Sequence, residues 1–105
     1  MKLLNKISAV LLMTMLAMGS AYAYQPTNTN SAKSLSNEAS VVIAGKIVRH
    51  LGGKRYELQD SSGKIRVEID DYSPNQVVGR NVTIRGTVDR GGRSAEIDAN
   101  SVTVY

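Results

Sequence analysis

The sequence alternates apolar and polar residues in short runs of period two, and it does so twice in nearly the same order. In VVIAGKIVRHLGGKRYEL, residues 41–58, Val41, Ile43, Gly45, Ile47 and Arg49 fall opposite Val82, Ile84, Gly86, Val88 and Arg90 of VTIRGTVDRGGRSAEID, residues 82–98. Each run then reaches a Gly-Gly pair, a basic residue, and Glu followed by Leu or Ile. Strict alternation places every second side chain on one face of a strand, so such runs must bury one sheet face each. A glycine inside each run marks a bend or the close approach of a neighbouring strand.

Extending the same pattern gives five strands: Val41–His50, Arg55–Gln59, Lys64–Ile69, Asn81–Asp89 and Ser94–Val104, the last interrupted near Asn100. Gly-Gly joins the first strand to the second and the fourth to the fifth, and DSSG, residues 60–63, turns the second into the third. Between the third and fourth lies DDYSPNQVVGR, residues 70–80, where Ser73-Pro74 starts a short helix and Gly79 ends it. Three strands, a helical interruption and two further strands are the order of a small OB-fold, a five-stranded all-β Greek-key barrel. Closure removes the exposed sheet edges that a short domain without disulfides would otherwise carry.

The start of the chain is of another kind. MKLLNKISAVLLMTMLAMGSAYA, residues 1–23, has the layout of a cleaved export signal: Lys2 and Lys6, an apolar stretch too short to span a bilayer comfortably, and the small-x-small site Ala21-Tyr22-Ala23. The expected mature chain begins at Tyr24, resides in the periplasm and carries no transmembrane anchor. With no cysteine it has neither a disulfide nor a lipidated N-terminal Cys. Residues 24–40 are rich in Ser, Thr and Asn with little apolar content, and read as a flexible leader in which SAKSLSNEA, residues 31–39, makes at most a short helix docking Leu35. The folded domain is then residues 41–105.

Losing Lys2 and Lys6 reduces 13 Lys and Arg to 11, against 9 Asp and Glu, so the mature net charge is +2 rather than +4. Overall charge therefore demands no nucleic-acid partner. The domain also has only Tyr56, Tyr72 and Tyr105 as aromatic residues, too few for the stacking platforms that track single strands.

At this point the residues SAKSL (31–35), VVIAGKIVRHLGGKRYELQDSSGKIRVEIDD (41–71) and VTIRGTVDR with AEIDANSV (82–102) resemble the bacterial OB-fold (BOF) family, the YgiW/YdeI-type periplasmic stress-tolerance proteins. The resemblance implies an exported OB-fold without catalytic residues or cofactor, acting in envelope stress tolerance. Tyr72 stands where family members usually carry a tryptophan, and the DRGGRS hairpin is more basic than the usual one.

Small OB barrels bind ligands between the loops joining strands one to two and four to five. Here those loops are the two echoing ones, and they bring Arg49, His50, Lys54, Arg55 and the adjacent Tyr56 toward Arg90 and Arg93. Guanidinium forks beside glycine-rich backbone suit phosphate or carboxylate. The expected partner is an anionic envelope component, a glycan or a lipid headgroup, or else a periplasmic or outer-membrane protein.

The alternative rests on carboxylates. Glu68 and Asp70 share a strand face about 7 Å apart by strand rise, and Glu96 and Asp98 repeat the spacing on the neighbouring strand. They would serve a divalent-metal binder or a hydrolase. Lys64, Arg66 and Arg85 on the same strands are expected to neutralise them through cross-strand pairs instead. His50 is the only histidine, so no ordinary zinc site can be assembled.

Overall fold

The computed structural model describes residues 23–105 apart from Arg93; nearly all of the expected export signal lies outside that range. The elements, in chain order, are β1 (Gln25–Thr27), α1 (Thr29–Ala32), β2 (Ser40–Gly52), β3 (Arg55–Asp60), β4 (Gly63–Glu68), α2 (Pro74–Val77), β5 (Asn81–Asp89) and β6 (Glu96–Val104).

Strands β2 to β6 close a five-stranded barrel, as the alternation predicts. The long strand β2 makes closure possible because its two halves have different partners. Residues 40–46 pair antiparallel with β5, and residues 46–52 pair antiparallel with β3. Strand β3 continues to β4 antiparallel, β4 meets β6 in a short parallel pairing, and β6 returns to β5. The inward positions of the alternation form one core, with Val41, Ile43, Ile47, Tyr56, Leu58, Val67, Val82, Ile84, Val88 and Ile97 at most 1% exposed. Each such aliphatic side chain contributes about 1.5–3 kcal/mol by leaving water.

The two glycines sit where the barrel tolerates nothing larger. A Cβ on Gly45 would lie 2.6 Å from the Gln59 carbonyl oxygen, and one on Gly86 would lie 2.3 Å from that of Asp98. Gly86 pairs with Ala99 while Arg85 pairs with Ser101, so Asn100 is the extra residue of a β-bulge. This is the interruption the sequence suggests near Asn100, and it lets β6 coil around the barrel.

Helix α2 is built as read. Ser73 is its N-cap, with the Ser73 N–H donating to Gln76 Oε1 at 2.7 Å, and Pro74 fills the first turn where its missing N–H costs nothing. Gly79 follows with φ of 86° and donates its N–H to the Ile47 carbonyl at 2.7 Å, which ties the helix to β2. Val77 delivers the helix's one fully buried side chain to the core.

The leader departs from expectation. Strand β1 pairs parallel with Val41–Ile43, and α1 starts at Thr29, two residues before the segment read as helical. Thr29 and Ala32 are both 0% exposed. Polar contacts to the barrel hold the segment together with Ala32 in the core and Leu35 packed against it, the docking expected of Leu35.

Candidate functional site

The site begins with a parity change in β2. Val41, Ile43 and Ile47 face inward, and simple alternation would send Arg49 the same way. The register instead shifts between Ile47 and Arg49 and again between His50 and Gly52. These irregularities bring Arg49 outward, opposite Glu57 of β3, where its Nε donates to Glu57 Oε1 at 2.9 Å. Glu57 in turn stands opposite Arg66 of β4 in register, and Arg66 opposite Glu96 of β6, so charges alternate across four strands.

A cavity of about 480 Å³ opens over this row. The first hairpin supplies Arg49 and Leu51 to it, and the second loop supplies Arg90, Ser94 and Ala95. Its remaining walls are Glu57, Lys64, Ile65 and Arg66 from β3 and β4, and Lys33 from the residue after α1. The cavity therefore lies where the two echoing loops were expected to frame a cleft. Among the described residues five cations, Lys33, Arg49, Lys64, Arg66 and Arg90, surround it against one carboxylate, that of Glu57.

Of the residues expected at the cleft, Arg49 and Arg90 line it. His50, Lys54, Arg55 and Tyr56 do not. Tyr56 is a core residue, 1% exposed, and its hydroxyl donates to the Tyr72 carbonyl at 3.2 Å. Burial pushes that phenol's pKa up. His50 sits on the far side of the same strand, with Nε2 2.8 Å from the Gly53 carbonyl and its ring 5.0 Å from that of Tyr56. Lys54 pairs with Asp70 at 3.5 Å. Arg55 pairs with Glu96 at 3.2 Å, and the hydrogen bond and charge of Glu96 hold its guanidinium above the usual pKa. Arg93 lies outside the described residues.

Sequence reading missed Lys33, Leu51, Ser94 and Ala95 as cavity residues, and took Lys64 and Arg66 only as partners for carboxylates. Alternation does carry one signal, because Glu57, Lys64 and Arg66 are the outward residues of strands whose inward residues form the core.

The carboxylates of the alternative site find partners other than those expected. Glu96 is held by Arg55 and Asp70 by Lys54, both from the first hairpin, rather than by Lys64, Arg66 or Arg85. Glu68 and Asp98 stand opposite one another where β4 and β6 run parallel. Among the described residues, no three or more His, Asp or Glu side chains come together as a metal-binding group.

The fold and the cleft together define a small OB-fold barrel with a cation-lined groove between its two hairpin loops. The family model for the bacterial OB fold (BOF) protein matches residues 18–104, and the chain belongs to that family. It is 35% identical over 81 residues to the calcium-regulated OB-fold protein CarO of Pseudomonas aeruginosa, covering 74% of this chain and 70% of CarO. It is 37% identical over 79 residues to protein YgiW of Escherichia coli K12, covering 72% of this chain and 61% of YgiW. The solved structure of E. coli YgiW superposes with a TM-score of 0.69 at 33% identity, covering 77% of this chain and 90% of that one. A replication protein A from Ustilago maydis bound to single-stranded DNA shares the barrel, with a TM-score of 0.62, but only 19% identity, a likeness of fold alone.

Proposed function

We propose that this chain is an exported, non-catalytic OB-fold protein of envelope stress tolerance that binds an anionic envelope component, a glycan or a lipid headgroup, in the cleft between its hairpin loops. The observation that carries the reading is the cavity's charge, five cations to one carboxylate, at the place where OB barrels bind. Its lining includes Leu51, Ile65 and Ala95, so apolar surface lies beside the cations. Among the described residues no aromatic ring lines it, which disfavours base stacking and hence nucleic acid. Export to the periplasm is supported by the layout of residues 1–23.

The name of CarO links that relative to calcium. In this chain two of the four candidate carboxylates are engaged in ion pairs, so the anion cleft has the stronger support.

The test is titration of the mature chain, from Tyr24, with lipopolysaccharide, phosphatidylglycerol vesicles and peptidoglycan fragments at low and at physiological salt. Binding to one of them should weaken as salt rises, because exposed charges are screened beyond about 8 Å at physiological ionic strength. Arg66→Ala should weaken it further. Equal retention of every anion by wild type and by a variant lacking Arg49, Lys64 and Arg66 would overturn the reading.

A further inference from the structure

The segment before the barrel is tied to it at both ends and near its middle by polar contacts. Strand β1 pairs with β2 at one end. Next, Thr29 donates its N–H to Asp60 Oδ2 at 2.9 Å and its hydroxyl to Asp60 Oδ1 at 2.8 Å. Ser62 Oγ takes the Asn30 N–H at 3.1 Å, and Asp60 Oδ1 also accepts the N–H groups of Ser62 and Gly63, at 2.8 and 3.1 Å. At the other end Asn37 Oδ1 accepts the Arg90 N–H at 2.8 Å, and Glu38 donates its N–H to the Val88 carbonyl at 2.6 Å.

Arg90 completes the arrangement. Its guanidinium donates to the backbone carbonyls of Lys33 and Leu35, and those two residues bracket the turn that leaves α1. Lys33, held between the Asp60 contacts on one side and Arg90 on the other, places its side chain in the cleft wall.

We infer that the segment Gln25–Glu38 is a fixed third wall of the anion cleft, latched by Asp60 and Arg90, and that Lys33 is the ligand contact it delivers. The inference rests on the anion reading of the cleft. Arg90 is then a positioning residue, since its guanidinium holds the wall's backbone. Asp60, absent from the cavity lining, acts on binding through the latch rather than by contact with the ligand.

This assignment makes a prediction of opposite sign to simple electrostatics. Asp60→Asn removes a negative charge, and charge alone would tighten anion binding. The asparagine, however, sets an NH₂ group against the Thr29 N–H, two donors facing each other, and the wall loosens.

The experiment compares wild type, Asp60→Asn, Thr29→Val, Lys33→Ala and Lys54→Ala in the full mature chain. Affinity for inorganic tripolyphosphate is measured by calorimetry, and amide hydrogen exchange is followed over residues 29–37. Thr29→Val keeps the side-chain shape and serves if Asp60→Asn folds poorly. Expected are faster exchange in both latch variants and an affinity loss of about threefold or more, the size of one lost charge contact. Lys33→Ala should show a similar loss, and Lys54→Ala, the same charge change outside the cavity, much less. Faster exchange with unchanged or tighter binding would overturn the wall while leaving the anion reading intact. Unchanged exchange in both latch variants would overturn the latch. Failure of wild type to bind tripolyphosphate would be a failure of the cleft reading itself, and the wall would fall with it.

Discussion

The two hairpins that echo each other in sequence are alike at their bends and unlike at their tips. Gly45 and Gly86 occupy matching places, each with a neighbouring carbonyl where a Cβ would stand. The tips diverge. Gly52 and Gly53 turn the first hairpin with φ of 109° and 54°, and the charges around them pair with carboxylates: Arg49 with Glu57, Lys54 with Asp70, Arg55 with Glu96. In the second loop Asp89 Oδ1 accepts the Gly91 N–H at 2.8 Å, and Arg90 reaches backbone carbonyls of the N-terminal segment. Similar sequence thus repeats what the barrel demands of its backbone, while each loop's side chains answer to whichever segment lies beside them.

The likeness of the bends is tested by the largest effect. Gly86→Ala should destabilise by about 3 kcal/mol and Gly45→Ala by about 2 kcal/mol, in the range for forcing atoms into a packed site and ordered by the closeness of the facing carbonyl. Urea unfolding measures both. A neutral Gly45→Ala would break the parallel between the two strands.

The difference of the tips is tested next. Arg90→Ala should cost about 1 kcal/mol through its lost backbone hydrogen bonds, whereas Arg49→Ala, with a side chain 66% exposed in its ion pair, should cost under about 0.5 kcal/mol. Equal losses in thermal unfolding would mean that the two arginines do the same work.

Acid sharpens the comparison further, because the segment gripped by Arg90 is also gripped by Asp60. Burial alone would raise the Asp60 pKa, but hydrogen bonds from Ser62 and Thr29 outweigh it and hold the carboxyl well below its usual range. A depressed folded-state pKa contributes stability that is complete above the unfolded value of 3.8 and is lost as pH falls through the folded value. Protection in residues 29–37, exchange measured relative to the intrinsic rate at each pH, should therefore be full at neutral pH and fall only in strong acid, and Asp60→Asn should flatten that dependence. The smallest effect belongs to Lys54→Ala, under about 0.5 kcal/mol, since both partners of its pair are more than half exposed.

These contrasts mark what was legible in the sequence. Strand order, the α2 start at Ser73-Pro74, the stop at Gly79 and the irregularity at Asn100 were readable, because each follows from local alternation or from the chemistry of a turn residue. The cleft's position was readable from the barrel, but of the ten described residues that line it only Arg49 and Arg90 were. The register shifts of β2 decide that Arg49 faces out beside Glu57 and that His50 stands opposite the buried Tyr56, and no local pattern announces them. The contacts of the N-terminal segment were hidden for a related reason. Thr29 is buried by Asp60, thirty-one positions away, and a Ser- and Asn-rich composition says nothing about a distant carboxylate.

The double pairing of β2 also sets a schedule. Ile43 must find Ile84 while Ile47 must find Leu58, so this strand is not satisfied along both halves until the far end of the domain has arrived. Contacts this distant along the chain make for slow folding, in milliseconds to seconds rather than microseconds. Until β5 docks, the first half of β2 offers an open edge to any strand that comes near, because β1, which pairs with Val41–Ile43, lies along the opposite edge. The chain is therefore at its most aggregation-prone before its last two strands close the ring.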